Sequence, residues 1–241
     1  VSKAAAELGL KIAISGLGGD ELFGSYPSFR EIPKMAKSLS LFRFLPGFGR
    51  MFRWVSAPVL GRLTSPKYAS LLEYGGTYSG AYLLRRGFFM PWELPEILGS
   101  QTARDGWEEL KPLIRLEQSI QGTTSDRIRV STLEMSWYMR NQLLRDADWA
   151  GMAHSLEIRV PLVDVELTRR IAPLLTETFP DKQDMARTPN TPLPAEILNR
   201  RKTGFAVPVR EWLMQEGGRN SGERGLRGWA MQVYDAYRDS A

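Results

Sequence analysis

Apolar and polar positions along the chain separate into one short block and a long series of helical stripes. Lys11 to Ser15 reads Lys-Ile-Ala-Ile-Ser, an apolar run of strand length that fits a buried position in a parallel sheet. Ahead of it, Ser2 to Leu8 reads as a short helix that Ser2 caps and Gly9 stops. From Asp20 onward the spacing is mostly helical, punctuated by prolines at 27, 33, 46, 58, 66, 91 and 95. The clearest long helix runs roughly from Ser125 to Arg145. One apolar stripe on it comprises Ile128, Met135, Met139 and Leu143, and a second comprises Val130, Leu133, Trp137 and Leu144. Two stripes predict a central helix packed between neighbours. Further helices are predicted roughly over Asp164 to Leu175, Pro194 to Arg200 and Arg210 to Gln215, with a Gly- and Arg-rich stretch from about Ser221 leading into a helical tail. No internal repeat or low-complexity tract interrupts the pattern.

One convincing strand among many helices sets a constraint. A lone buried parallel strand cannot satisfy its own backbone hydrogen bonds. The pattern therefore predicts a predominantly α chain with one or few strands, the C-terminal part of an α/β protein whose other strands lie upstream of Val1.

Composition narrows the chemistry. The 241 residues can hold a real core, and 43% hydrophobic with 24% charged residues is ordinary for a soluble globular protein. With no cysteine, disulfides, thiolate metal sites and a cysteine nucleophile are excluded. No stretch approaches ~18 uninterrupted apolar residues and the N-terminus has no basic leader, so a cytoplasmic protein with no membrane partner is expected. The net charge of +5 is modest and dispersed in doublets such as Arg85-Arg86 and Arg169-Arg170, the pattern of solvated helix surface rather than of a nucleic-acid face. The triplet Arg200-Arg201-Lys202 stands apart, because Gly204 and Phe205 follow it directly.

Three constellations carry chemistry. In Ser15-Gly16-Leu17-Gly18-Gly19-Asp20-Glu21, glycines let backbone N–H groups approach an anion closely. The dinucleotide signature fails because Glu21 takes the third glycine position, and the Walker pattern fails for want of Gly-Lys-Ser/Thr. An acid inside a phosphate loop repels phosphate unless a cation bridges the two, which makes Asp20 a candidate magnesium ligand; the plainer alternative is an acid capping bare amides at a helix start. The second constellation, Asp146 to Asp164, packs Asp146, Asp148, Glu157 and Asp164 with Arg159 and the only histidine, His154, into nineteen residues. Glu157 and Arg159 would share one side of an extended segment, where an ion pair could hold the loop. In the third, Arg200 to Pro208, the basic tip and its Gly turn suit contact with phosphate, Lys202 acting as a mobile point charge. A surface turn anchored by Phe205 is the alternative there.

Together and in this order, the three resemble the synthetase domain of glutamine-dependent asparagine synthetases and their asparagine-synthase-related cousins. Ser15 to Tyr26 matches Ser-Gly-x-Gly-x-Asp-Glu-x-Phe-Gly-Gly-Tyr with Ser25 in place of the second late Gly. Met152, Ala153, Ser155, Glu157, Arg159, Pro161 and Asp164 match a second family segment, and Lys202, Gly204, Phe205 and Pro208 a third. The resemblance implies the C-terminal portion of an adenine-nucleotide alpha-hydrolase-like (PP-loop ATP pyrophosphatase) domain. It divides residues 1–241 into a strand and nucleotide loop (1–30), a helical insertion (31–120), a helical core with active-site loops (121–216) and a tail (217–241). It also implies ATP and magnesium as cofactors. A carboxylate would be activated as an acyl-adenylate and aminated by ammonia, most simply aspartate to asparagine. Ser15 and Gly16 would touch the nucleotide beside Gly18 and Gly19, Asp20 would hold magnesium, and Lys202 would stabilise charge during acyl transfer.

Two departures qualify this. The family's upstream Ser-Gly-Gly-x-Asp-Ser loop and the cysteine nucleophile of its glutaminase half are absent from these residues, so an inactive fragment is expected, with ammonia supplied in a full-length parent by an N-terminal glutaminase domain. An exposed sheet edge could then favour a homodimer. Leu17 stands where asparagine synthetases carry Glu, and leucine cannot accept a proton. Either Glu21 or Asp146 takes over, or the substrate is another carboxylate, as in polysaccharide- or peptide-modifying relatives. A non-catalytic scaffold and an anion-binding surface are the rival classes.

Overall fold

The computed structural model describes residues 1–178, 180–191, 193–200, 208, 211–212 and 226–240. In chain order, α1 (Ser2–Glu7) leads to β1 (Ile12–Ile14), α2 (Gly19–Leu22) and α3 (Ser28–Ser38). Then follow α4 (Pro46–Leu63), α5 (Leu71–Tyr74), α6 (Tyr78–Arg86), α7 (Leu94–Leu98), α8 (Ser100–Leu110) and α9 (Pro112–Ser119). Next come α10 (Asp126–Leu133), a π-helix (Glu134–Leu143), α11 (Leu144–Met152), β2 (Glu157–Arg159), α12 (Val165–Glu177), α13 (Lys182–Ala186), α14 (Ala195–Leu198) and α15 (Arg227–Ser240). The described residues are thus mostly helical with a two-stranded sheet, as the periodicity predicts.

The residues gather into two compact units. One comprises 1–34 and 115–200, the other 35–114 and the described part of 201–241. In the first, β1 and β2 run parallel with Ile12 opposite Glu157, Ala13 opposite Ile158 and Ile14 opposite Arg159. Glu-Ile-Arg offers no apolar run, which is why sequence patterning finds β1 and misses β2. The strands are also less buried than their composition suggests: Ile12 and Ile14 are 45% and 79% exposed. Among the described residues β1 has one neighbour, and a strand paired on one edge lacks the cover that both faces of a parallel sheet normally receive. The N-cap of α1 is Val1 rather than Ser2, and no side chain caps it.

The core of this unit is apolar around two acids. Leu22, Ile32, Val130, Leu133 and Leu156 are buried, together with Glu21 and Glu134. The predicted long helix is present but changes type: at Glu134 the α10 turns give way to π-helix, and the Leu144 N–H donates to the Met139 carbonyl. The i→i+5 pattern widens each turn and rotates the side chains that follow. Of the two predicted stripes, Val130, Leu133 and Met139 are the buried members.

The second unit buries Ala69, Ala81, Tyr82, Leu84 and Met90. Its polar centre is Arg227, which donates to Glu93 Oε1 at 2.6 Å and to the Phe88 carbonyl at 2.7 Å, with its guanidinium carbon 4.2 Å from the centre of the Phe89 ring. Glu93 Oε2 accepts from the Met90 N–H at 2.8 Å, so both oxygens of this carboxylate are used. Lys67 lies beside this centre in a cavity of about 220 Å³ that Ser65, Tyr68, Gly87, Phe88, Leu226 and Arg227 also line. Its ammonium donates to the carbonyls of Gly87 at 3.1 Å and Arg85 at 3.4 Å. Burial, helped by the Arg85 and Arg227 charges, pulls Lys67 down to about 8.

The unfolded chain holds the Lys67 proton up to about its ordinary 10.5, whereas the folded chain releases it from about 8. Between those values the unfolded state binds more protons, so stability rises with pH. Thermal unfolding followed across that range should show the rise in the wild type and a flatter profile in Lys67→Gln; superimposable profiles would remove Lys67 as the cause.

Candidate active site

The nucleotide-type loop leaves β1 at Ser15 and turns into α2. Its geometry is fixed from the side by β2 and the turn that follows. The Ser15 N–H donates to the Arg159 carbonyl at 2.8 Å, extending the ladder one residue beyond the strands. The Ser15 hydroxyl accepts from the Leu17 N–H at 3.3 Å. Gly18 has φ 91°, the left-handed region that favours glycine. A Cβ there would stand 2.9 Å from both the Leu162 carbonyl oxygen and Val163 Cγ2. Gly19 is likewise buried, whereas Gly16 is exposed with nothing near its missing Cβ. The first and second sequence constellations therefore meet: Ser15 to Gly19 lies directly against Arg159 to Val163.

Asp20 and Glu21 are adjacent in sequence and opposite in environment. Glu21 is 1% exposed, and its Oε1 accepts from the Tyr26 hydroxyl at 2.9 Å. Burial raises its pKa, with Asp20 and Glu134 adding to the shift, while backbone and Tyr26 hydrogen bonds oppose it. Burial and then the Glu21 charge push the Tyr26 hydroxyl well above the usual phenol range, so Tyr26 stays a donor. Ser131 Oγ donates to the Glu21 carbonyl at 2.9 Å, and Ser28 Oγ donates to Glu134 Oε1 at 2.5 Å. Tyr26 meets Tyr138 of the π-helix edge to face, centroids 6.1 Å apart.

Asp20 keeps a side chain 24% exposed and forms an ion pair with Lys182 at the start of α13. Arg127 brings that segment in by donating to the Leu22 carbonyl and to the Pro180 carbonyl, two residues before Lys182. Sequence spacing gives no sign of Lys182, which lies 162 positions from Asp20 (182 minus 20) and belongs to none of the motifs. Its local signature is a helix start instead: Asp181 caps α13 in a capping box with Asp184.

The remaining candidates are spread out. Asp146 and Asp148 are exposed on α11, which packs against α1 and β2. His154 is exposed in the α11–β2 turn. That turn is tight: Leu156 N–H returns to the Gly151 carbonyl at 3.0 Å, a Cβ on Gly151 would stand 2.6 Å from the Leu156 carbonyl, and Ser155 has φ 53°. Glu157 and Arg159 do share one side of a strand, with Arg159 Nε 2.9 Å from Glu157 Oε1. Asp164 accepts from the Leu167 N–H at 2.7 Å and so caps α12. Lys202, with Gly204 and Phe205, lies outside the described residues.

The asparagine synthase family model matches residues 1–235. The chain belongs to the asparagine synthase family. It is 30% identical over 211 residues to asparagine synthetase [glutamine-hydrolyzing] 1 of Bacillus subtilis, covering 85% of this chain and 32% of that protein. A Mycobacterium tuberculosis protein, provisionally named as a glutamine-hydrolysing asparagine synthetase, is 30% identical over 222 residues, covering 85% of this chain and 31% of its own length. The chain thus spans about a third of the length of the curated relatives it matches. No solved structure matches it.

What this asparagine synthase loop can offer a ligand follows from its parts. Among the described residues no three His, Asp or Glu side chains cluster to hold a metal by themselves. A magnesium ion does not need such a cage, because it is commonly held by one or two carboxylates plus substrate phosphates. Asp20 fits that limited role, and Glu21, turned inward, does not compete for it.

Two outcomes are expected. Gly18→Ala meets both the left-handed backbone penalty and the Leu162–Val163 contact, so it should cost roughly 2 kcal/mol or more, while Gly16→Ala should stay within about 0.5 kcal/mol of the wild type; equal denaturant midpoints for the two would overturn the packing argument. For Glu21, whose folded pKa lies above its ordinary 4.5, the folded state binds the extra proton, so stability is lost as pH rises through the raised value. Glu21→Gln should therefore match the wild type in acid and become the more stable of the two as pH rises toward neutrality.

Proposed function

We propose that this chain supplies the nucleotide loop and acyl-transfer part of an ATP-dependent amide-forming ligase. The observation that carries the reading is the seating of Ser15–Gly19 against Arg159–Val163, with one outward-facing acid, Asp20, at the loop's end. In this scheme a substrate carboxylate oxygen attacks the α-phosphorus of ATP, the bond to the β-phosphate breaks, and pyrophosphate leaves. Ammonia then attacks the acyl carbon, loses a proton, and AMP departs with the former carboxylate oxygen. Both steps concentrate negative charge on phosphate, which a cation stabilises better than any neutral donor.

In this scheme the residues take distinct roles. Ser15 and Gly16 would face the nucleotide, Gly18 and Gly19 shape the turn, and Asp20 would hold a magnesium ion, which would supply positive charge to the departing pyrophosphate. Lys182, already paired with Asp20, adds a second cation to the same edge. Lys202 stabilises the transition state of acyl transfer. Glu21 is a positioning residue, its carboxylate turned inward onto Tyr26. Asp146, exposed on α11 as Asp148 also is, takes in this scheme the role of the acid missing at residue 17.

The whole protein's substrate is aspartate, with glutamine-derived ammonia, on the strength of the named relatives. Leu17 favours a second reading, an amidotransferase acting on another carboxylate, because a leucine side chain offers no proton acceptor in the loop.

In the protein that carries this chain, pyrophosphate release from magnesium-ATP should require the carboxylate substrate. Lys202→Ala should lower amide formation by about a hundredfold or more, the range seen when one transition-state donor is lost. Turnover by that variant at the wild-type rate would remove Lys202 from the mechanism. Pyrophosphate release with no carboxylate present would argue against adenylation of a substrate.

A further inference from the structure

Helix α4 presents its large apolar side chains outward. Where it packs on the 3₁₀ turn Pro66–Ser70 and on α5, the inward positions include Gly49, Ser56 and Ala57, all small. Gly49 is buried against the Glu73 backbone, and Arg53 Nε donates to Glu73 Oε2 at 2.7 Å. The outward side carries Phe48, Phe52, Val55, Val59 and Leu63, which recur at steps of 4, 3, 4 and 4 residues and so form one stripe. All five are exposed, Leu63 to 72%, and Trp54 beside them is 80% exposed. An amphipathic helix in a globular unit normally turns that stripe toward its core.

Charge identifies what the stripe meets. Between Glu31 and Glu73 the sequence has seven Lys and Arg and no Asp or Glu. Of these, Lys37, Arg43, Arg50 and Arg62 are exposed within the same unit as α4. Aromatic and aliphatic residues flanked by cations, without acids, form the composition that lies in a lipid headgroup region. We propose that the exposed face of α4 is a docking surface for a membrane rich in anionic lipid, its apolar stripe seated at the acyl-chain boundary and its arginines against headgroup phosphates.

A second copy of the chain fits less well. A symmetric contact would bring the cations of this stretch, which carries no acid of its own, toward one another. Crossing the bilayer is not required, and among the described residues no helix is long and apolar enough to do so. The sequence expectation of no membrane partner rests on the lack of a spanning segment, a test that a surface-lying helix does not meet. This inference does not depend on the amide-forming reading.

Sedimentation of the 241-residue chain with vesicles of phosphatidylcholine alone, or of phosphatidylcholine with phosphatidylglycerol, tests it directly. Binding should need phosphatidylglycerol and weaken as salt is raised. The pair Phe52→Glu and Val59→Glu should lower the affinity by about tenfold or more, and Arg50→Gln or Arg62→Gln by about fivefold each. Because all four side chains face solvent, the circular dichroism spectrum should not change. Equal binding to both vesicle types, or binding untouched by the Glu pair, would overturn the proposal. So would self-association in sedimentation velocity that the Glu pair abolishes while no vesicle binding is found, since a second copy would then be the occupant.

Discussion

The hydrogen bond from Ser15 to Arg159 is the constraint on which the candidate site depends. It closes a parallel ladder of three residue pairs between segments 144 positions apart (159 minus 15). Closing so long a loop costs entropy that a ladder this short cannot offset alone. The contacts around it supply the difference. Gly18 lets the loop backbone rest on Leu162 and Val163, Leu156 is buried just ahead of β2, and α11 packs on β2 and α1. The two motif segments are adjacent because the surrounding packing leaves them no other position, and the backbone amides of the loop are thereby held in one arrangement.

The division of labour between Asp20 and Glu21 follows from the same packing. Consecutive residues on a helix point about 100° apart, so one of two neighbouring acids at the start of α2 can be buried while the other meets solvent. Glu21 is the buried one, and hydroxyl donors meet it. Tyr26 reaches its carboxylate and Ser131 its carbonyl, while Ser28 serves Glu134 nearby. A buried carboxyl is weak evidence for stability, since an apolar residue of similar volume often serves better there. Its contribution is orientation: with Glu21 tied inward, Asp20 is left on the more exposed side, where it pairs with Lys182. The π-helix belongs to this arrangement, because Glu134 opens it and Tyr138 within it meets Tyr26.

What the sequence reveals and what it conceals divide along physical lines. The apolar run at Ile12–Ile14, the helix predicted from about Asp164 and the Glu157–Arg159 pair are local features, written in spacing within one element, and each is found where the pattern puts it. β2 is missed because Glu-Ile-Arg is a strand by virtue of its partner, not of its composition. The π-helix is missed because sequence patterning assumes a 3.6-residue period, and a change of hydrogen-bond register leaves the residue types untouched. Lys182 is missed for a third reason: its role depends on Arg127 drawing Pro180 toward Leu22, a tertiary contact that no window of sequence contains. Asp20 and the loop glycines are legible as a motif, while the partners that orient them are not.

Leu17 then acquires a sharper meaning than its position in the motif suggests. Its N–H is occupied by the Ser15 hydroxyl, and its side chain is half-buried between Gly16, which is open, and Gly18, which is closed against Val163. An acid at this position would add a second negative charge within three residues of Asp20, where Lys182 supplies a counter-charge. Leucine avoids that repulsion and needs no further cation to hold the loop. The loop is therefore electrically self-consistent without an acid at residue 17. Under the proposed chemistry, any group that reads the far end of the substrate must come from another segment, and the exposed acids of α11, Asp146 and Asp148, are open to that role.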